Sequence, residues 1–482
     1  MNALATRNWL SLSLLLLVFL VCFAAVGSAV QWGDSGAFLY EASRGVIFPA
    51  ELGAQSHPLF HAISALVVGG FGASGLALLN ALLLPLVAIL VARIVIVLGG
   101  SLNAGIFAAC TMCLAHCVFW ISTKVEVYLL NALLVLGCYW VVFDLRLRVG
   151  PRVRMLLLGL FTGLALSVHQ VTLLCVAPLY VYTLWVYRGS ALLAGIGALV
   201  GLAPCLLGFV AELHHGRSAF EVARAYLTNA MPATDHPGGY ESSLFRFDRL
   251  WSGKAYAVIA LLSLCGPQAV GLLYPRDWRE RAVWVAAIAN LVFALSYDVA
   301  DRFTFLLPGV ALLSVLAWLQ IERRFADAAW RSIVSAGAVA AAPLAFVLVV
   351  LAADRGLLHL PKNEHALAYR NDVKYFLSPW LKDDSAAEFA RDYDKTVPVG
   401  AVVFADWTPL GALQSAQAAG EFGRRELQDC SGYPVWARRL PGQAAYVVRL
   451  EAGCETVGIR TAEAQGGGLR ILPHTATATS LR

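Results

Sequence analysis

The feature that most constrains this chain is a succession of apolar stretches, each suited to crossing a hydrocarbon layer about 30 Å thick. They fall near residues 9–30, 75–98, 103–122, 127–143, 153–169, 170–187, 191–211, 255–274, 282–297, 303–320 and 332–352, which predicts about eleven transmembrane helices. With 59% hydrophobic and 14% charged residues over 482 positions and a mean hydropathy of +0.68, the chain is a polytopic membrane protein and not a soluble enzyme. The formal charge of +5 is mild and does not point to nucleic acid.

The segment SHPLFHAISALVVGGFG (56–72) decides the topology. If it lies along the outer interface, twelve arginines from Arg7 to Arg331 fall in short cytoplasmic segments, against only Arg44, Lys124 and Arg302 in short outer loops. As a further span it would invert everything after it and break the positive-inside rule. We therefore expect an interfacial helix at 56–72, a cytoplasmic N-terminus and an extracytoplasmic C-terminal region, in a membrane that is best read as a bacterial inner membrane. Arg7 and the small residues Gly27 to Ala29 give the first span some features of a cleavable signal. Its apolar stretch exceeds the usual signal core of roughly 7–15 residues, which favours an uncleaved anchor.

Residues 1–353 are thus expected to form the membrane domain, with outer loops at 31–74 and 212–254, and residues 354–482 a small soluble α/β domain. In the latter, AVVFADW (401–407) and AAYVVRLE (444–451) read as strands and PLGALQSAQAAGEF (409–422) as the helix between them. AFEVARAYL (219–227) has amphipathic helical spacing. Of ten cysteines, Cys430 and Cys454 alone fall in the outer domain, where an oxidising compartment could pair them. CTMCLAHC (110–117) looks like a metal cluster but lies within an expected span, at the spacing of a small-residue packing stripe.

With the topology set, the unusual polar residues sort to one membrane face. Asp34 and Glu41 follow the first span, His57 and His61 open the interfacial helix, and Lys124 and Glu126 start the fourth span. His169 and Gln170 lie between spans five and six, and Asp298, Asp301 and Arg302 between spans nine and ten. Intramembrane or interfacial ionisable groups are costly enough to count as functional candidates. Each also has a structural reading: Asp34 as a helix-capping loop acid, Glu126 beside Lys124 as a helix-start acid, His57 as a cap for the interfacial helix, and Asp298 or Asp301 as local partners of Arg302.

The segments DSGAF (34–38), HPL (57–59), EVYLLNALL (126–134), SVHQ with APLY (167–180) and YDVADRFTFLLPG (297–309) resemble, in order and spacing, the recurring motifs of the protein O-mannosyltransferase-like membrane proteins. These are a long-uncharacterised branch of the GT-C-type glycosyltransferases, and the resemblance covers about residues 9–320. It implies a GT-C-like fold, a polyprenyl-phosphate-linked sugar as donor, an active site on the outer face, Asp34 as catalytic base and Glu126 as the second acid. Two departures stand out: Ala37 replaces the glutamate usual after Asp-Ser-Gly, and Leu59 replaces the second proline after the histidine. The first puts a two-carboxylate or metal-bridged arrangement inside that motif in doubt, so a divalent cation has no support in the sequence.

The expected reaction moves the sugar to an acceptor hydroxyl, of a protein or a glycan, with inversion. Asp34 would take the proton, and Arg302, with Lys124 or His57, would neutralise the leaving phosphate. His61, His169, Asp298 and Asp301 complete the expected substrate-binding set. No glycine pattern for a nucleotide is found, which suits a lipid-linked donor. The rivals are a transporter or flippase of lipid-linked sugars, which would call for polar groups at mid-bilayer, and a non-catalytic assembly protein.

Overall fold

A computed structural model describes residues 2–48, 57–228, 243–248, 254–299, 301–325, 328–357, 367, 369–370, 375–376, 382–430, 445–449, 454, 462–465 and 468–471. The membrane region is helical: α1 (Asn2–Ala24), α2 (Gly33–Ser43), α3 (Pro58–Val97), α4 (Leu102–Cys113), α5 (His116–Ser122), α6 (Tyr128–Phe143), α7 (Pro151–Leu166), α8 (Thr172–Val186), α9 (Ala191–Gly201), α10 (Ala203–His214) and α11 (Ala219–Thr228). Then come α12 (Lys254–Leu262), α13 (Trp278–Ser296), α14 (Leu307–Arg324) and α15 (Ala328–Asp354). Among the described residues three helices are long and apolar enough to cross a membrane, or five if each of two bent pairs is one span. The bends account for part of the shortfall against hydropathy, and the apolar helices Ser11–Ala24, Tyr128–Phe143 and Thr172–Val186, each shorter than a full span, for more of it. α4 and α5 meet at 70°, and α9 and α10 at 59°.

Start signals are local. Asp277 caps α13 by accepting from the amides of Arg279 and Glu280, and Ser101 caps α4 through Ala104. The expected interfacial helix and the following span form the one element α3, interrupted at Gly72, whose φ of 70° and ψ of −173° end the helical run. Only glycine adopts that conformation without strain. α14 is buried from Leu307 to Ile321 and forms the centre of the bundle. Helices α7 and α9 approach through Gly159, Gly163, Gly197 and Gly201, where any Cβ would strike the facing backbone. This small-residue contact is the membrane counterpart of a close helix crossing. Cys110, Cys113 and Cys117 are fully buried in the packed core. Among the described residues no three His, Cys, Asp or Glu side chains converge as a metal cage. His214 and His215 are exposed, and Arg217 pairs with Glu212 at 2.7 Å.

The C-terminal region contains α16 (Ser385–Thr396), α17 (Trp407–Ala419) and strands β1 (Val402–Ala405), β2 (Glu426–Asp429), β3 (Ala445–Val447), β4 (Ala462–Gln465) and β5 (Gly468–Ile471). Sheet order is β2-β1-β3-β5-β4, with β1 parallel to β2 and β3 and the remaining pairs antiparallel. Both expected strands and the helix between them are present, although β3 is shorter than its apolar run. The other three strands had no apolar alternation to announce them. Cys430, just past β2, and Cys454 form a disulfide. The core of this domain takes in two residues from the other end of the sequence, Val30 and Trp32, with Trp32 packed on Phe389 at 5.1 Å.

Candidate active site

The site begins with α2. Trp32, at the N-cap, is extended, and Gly33 turns the chain with φ +56°, so Asp34 sits in the first helical turn where the dipole favours an anion. Behind it Ser35, Gly36 and Ala37 are buried. Gly36 and Gly411 let the α2 and α17 backbones touch: a Cβ at either would collide with the other helix. The Asp34 Oδ1 accepts from the indole N–H of Trp407, 373 positions away. Asp34 is open to solvent on one side, but protein walls the rest of its surroundings densely enough that loss of hydration pushes its carboxyl up from the ordinary value, against the Trp407 bond.

Glu126 lies in the non-helical link between α5 and α6. Asn80 of α3 fixes that link by donating to the carbonyls of Lys124 at 2.8 Å and Glu126 at 2.7 Å, and Gln31 Oε1 accepts from the Val125 amide at 2.9 Å. The Ser35 hydroxyl, next to Asp34, donates to Glu126 Oε1 at 2.9 Å. The residue that follows Asp34 in the chain therefore bonds the second acid singled out from the sequence. Burial raises the Glu126 carboxyl well above its usual value, helped by the charges of Asp34 and Asp301 and opposed by Ser35 and Lys124. Asp301, just before α14, is pushed up to about 6, first by burial and then by Asp34, against its own amide, Arg370 and Arg302. Three carboxylates from three segments share one electrostatic field.

The histidines form a wall. His57 holds the N-cap position of α3 in the left-handed conformation, with φ 56°, but makes no side-chain cap bond, which corrects the capping reading. Its Nδ1 instead meets the Val168 carbonyl at 2.5 Å, so that nitrogen carries the hydrogen. Burial lowers its pKa to about 4, which favours the neutral ring. It stacks on His169 at 5.3 Å, and His169 contacts Tyr128 and Phe305, each at 5.4 Å. His169 Nδ1 accepts from the Val171 amide at 3.1 Å, and burial lowers this ring as well. His61 lies one turn beyond His57, with Nε2 3.4 Å from Glu41. Gln170 donates to the Tyr226 carbonyl at 2.9 Å.

The cations are committed unequally. Lys124 is buried and bonds Asp383 at 3.2 Å, so it is not a free counter-charge as expected. Arg302 pairs with Asp298 at 2.8 Å and not with Asp301, so the local structural reading holds for one of the two acids. Its Nε donates to the Val299 carbonyl at 3.1 Å, while its buried Nη1 has no partner among the described residues.

Four neighbours were not legible as site residues: Trp407, Arg370, Tyr375 and Asp383. Arg370 and Lys124 both lie over the Tyr375 ring, at 4.2 and 4.7 Å. The sequence signal for Trp407 was only its place at a strand-to-helix junction. Nothing along the chain announced that it reaches Asp34.

No protein-family model matches the chain, and no curated protein does. Solved structures do. The crystal structure of ArnT from Cupriavidus metallidurans in the apo state superposes with a TM-score of 0.62 at 14% identity, covering 97% of this chain and 98% of that one. ArnT from the same organism bound to undecaprenyl phosphate gives 0.56 at 14% identity, covering 96% and 97%. The chain is therefore a mostly helical polytopic membrane protein that shares the fold of these ArnT structures and has a small C-terminal α/β region.

Proposed function

We propose that this protein is a membrane glycosyltransferase that moves a sugar from a polyprenyl-phosphate donor to an acceptor hydroxyl on the outer face of the membrane, with inversion. The observation that carries the reading is the bond from Ser35, the residue after Asp34, to Glu126, 91 positions on, which brings the two acids together at one end of the bundle. The shared fold supports it, since one ArnT structure contains undecaprenyl phosphate. The motifs suggest the O-mannosyltransferase-like branch.

In this reading Asp34 is the general base. Trp407 occupies Oδ1, leaving Oδ2 for the acceptor hydroxyl. As the acceptor oxygen attacks the anomeric carbon, its proton passes to Asp34, and the bond from that carbon to the phosphate oxygen breaks with its electron pair going to the lipid phosphate. An elevated carboxyl is the stronger base, and general bases contribute roughly 10²–10⁴ in rate. Glu126, held toward its neutral form, orients the acceptor or the sugar by hydrogen bonding. Nη1 of Arg302, without a partner among the described residues, offers a donor to the phosphate. His57, with hydrogen on Nδ1, presents Nε2 as an acceptor.

The test uses purified protein in liposomes, radiolabelled undecaprenyl-phosphate hexoses and aminosugars as donors, and a membrane fraction as acceptor. Transfer from at least one donor should be lost in Asp34→Asn, and Arg302→Ala should raise the donor KM as well as lower turnover, by about tenfold. No transfer from any donor, or full activity in Asp34→Asn, would overturn the reading.

A further inference from the structure

The C-terminal domain is built into the neighbourhood of Asp34 more intimately than a tethered accessory would be. Val30 and Trp32, which precede α2, lie in its core. The Ser415 hydroxyl of α17 donates to the Gln31 carbonyl at 3.1 Å and accepts from the Gln31 amide at 3.0 Å. The Trp32 indole donates to Ser385 at 2.9 Å, and the Ser28 amide to Asp384 at 3.1 Å. Gly36 and Gly411 remove the side chains that would hold α2 and α17 apart. These contacts surround the turn that starts α2, and they place Trp407, the first residue of α17, against Asp34.

Trp407 is in turn fixed from behind. Asp406, between β1 and α17, receives Nε and Nη2 of Arg449 in two bonds of 2.7 Å each, and both side chains are buried. Arg449 follows β3, the neighbour of β1 in the sheet. A buried fork of this kind fixes direction as well as distance. Trp407 is nevertheless 47% exposed, which a residue serving only the domain core would not be.

We infer that the C-terminal domain completes the active site by supplying Trp407 as a positioning residue, whose indole N–H fixes the rotamer of Asp34 and leaves its second oxygen for the acceptor hydroxyl. The role of Asp34 as base rests on the function proposed above, whereas the Trp407 contact can be tested without turnover. The other groups in its electrostatic field are Glu126, Asp301, Tyr128 and Tyr375. A bond donated to the carboxylate favours its charged form, so removing the N–H moves the Asp34 titration to higher pH.

The experiment is labelling of the full chain in nanodiscs with dicyclohexylcarbodiimide, which reacts with protonated carboxyls, followed across pH by peptide mass spectrometry. Trp407→Phe, and replacement of Trp407 by 3-benzothienylalanine, which keeps the bicyclic shape without the N–H, should each raise the labelling midpoint of Asp34 by about one unit, a tenfold change in protonation ratio. Where a sugar donor has been found, kcat should fall with little change in KM, and its acid limb should move the same way. An Asp34 midpoint unchanged in both variants would overturn the inference, whatever the transfer assay gives. A shifted midpoint with no transfer from any donor would leave the contact standing and count against the glycosyltransferase reading instead.

Discussion

The two ends of the helix bundle carry buried charge in opposite ways. At the end where α6 finishes and α13 begins, Asp144 accepts from Arg93 at 2.9 Å, Trp140 at 3.1 Å and the Arg146 amide at 3.0 Å. Glu280 is held by both terminal nitrogens of Arg323 and by the Arg276 amide. Arg154 spends its guanidinium on the carbonyls of Val141, Asp144 and Leu147. At the other end of the same helices burial raises Asp34, Glu126 and Asp301, the charge of Asp34 raises the other two further, and one guanidinium nitrogen of Arg302 has no partner among the described residues. Buried ionisable groups alone would have marked both ends. Arg281 Nε at the first end also lacks a partner among the described residues, so what separates the ends is the saturation of their acids: a closed pair has no chemistry left to offer, whereas an acid cluster held above its ordinary titration range can take or share a proton.

The comparison breaks most visibly at Asp34. Asp34→Asn keeps size and one acceptor but cannot take a proton, so a loss of about 10² to 10⁴ in transfer is expected with the fold intact. At the opposite end Arg323→Ala should cost about 3 kcal/mol of stability by leaving Glu280 buried with a backbone amide as its remaining partner, while transfer at permissive temperature stays within about twofold. Thermal unfolding in detergent and the transfer assay on the same samples separate the two. A folded Arg323→Ala protein without activity would mean that saturation is the wrong criterion.

How far the site could be read along the chain follows the same division. Asp34, Glu126, His57, His169 and Asp301 were legible because an ionisable or imidazole side chain beside an apolar run is anomalous in itself. Helix positions were legible for a similar reason, since hydropathy reports a segment's environment. The break at Gly72 was legible too, since the expected interfacial helix ends there, whereas the bend between α4 and α5 was not, because it depends on tertiary packing that hydropathy does not sample. Partners were harder still. Lys124 could not be known to bond Asp383, 259 positions away, and Arg302 could not be assigned to Asp298 over Asp301 without the backbone turn between them. Trp407 was invisible as a site residue because its role exists only once α17 lies on α2.

The smallest effect discriminates most sharply, because its sign differs between the two ends. Asp301 titrates at about 6 in the folded protein against an ordinary 3.8, under burial and the charge of Asp34, with Arg370 and Arg302 pulling the other way and Glu126 nearby. A raised acid binds its proton more tightly folded than unfolded. Its charged form therefore weakens the native state above pH 6, and the penalty is relieved as pH falls from about 6 towards 4. Asp301→Asn removes that penalty, so the variant should be more stable than the parent by about 1–3 kcal/mol at pH 8, with the gain disappearing near pH 4. Asp144→Asn should do the reverse at pH 8, because it leaves Arg93 without its ionic partner and loses an acceptor from a saturated set. Unfolding midpoints of both variants in one detergent, at pH 8 and pH 4.5, decide the matter. If Asp301→Asn destabilises at pH 8 as Asp144→Asn does, Asp301 is a satisfied structural acid, and the acid cluster loses a member.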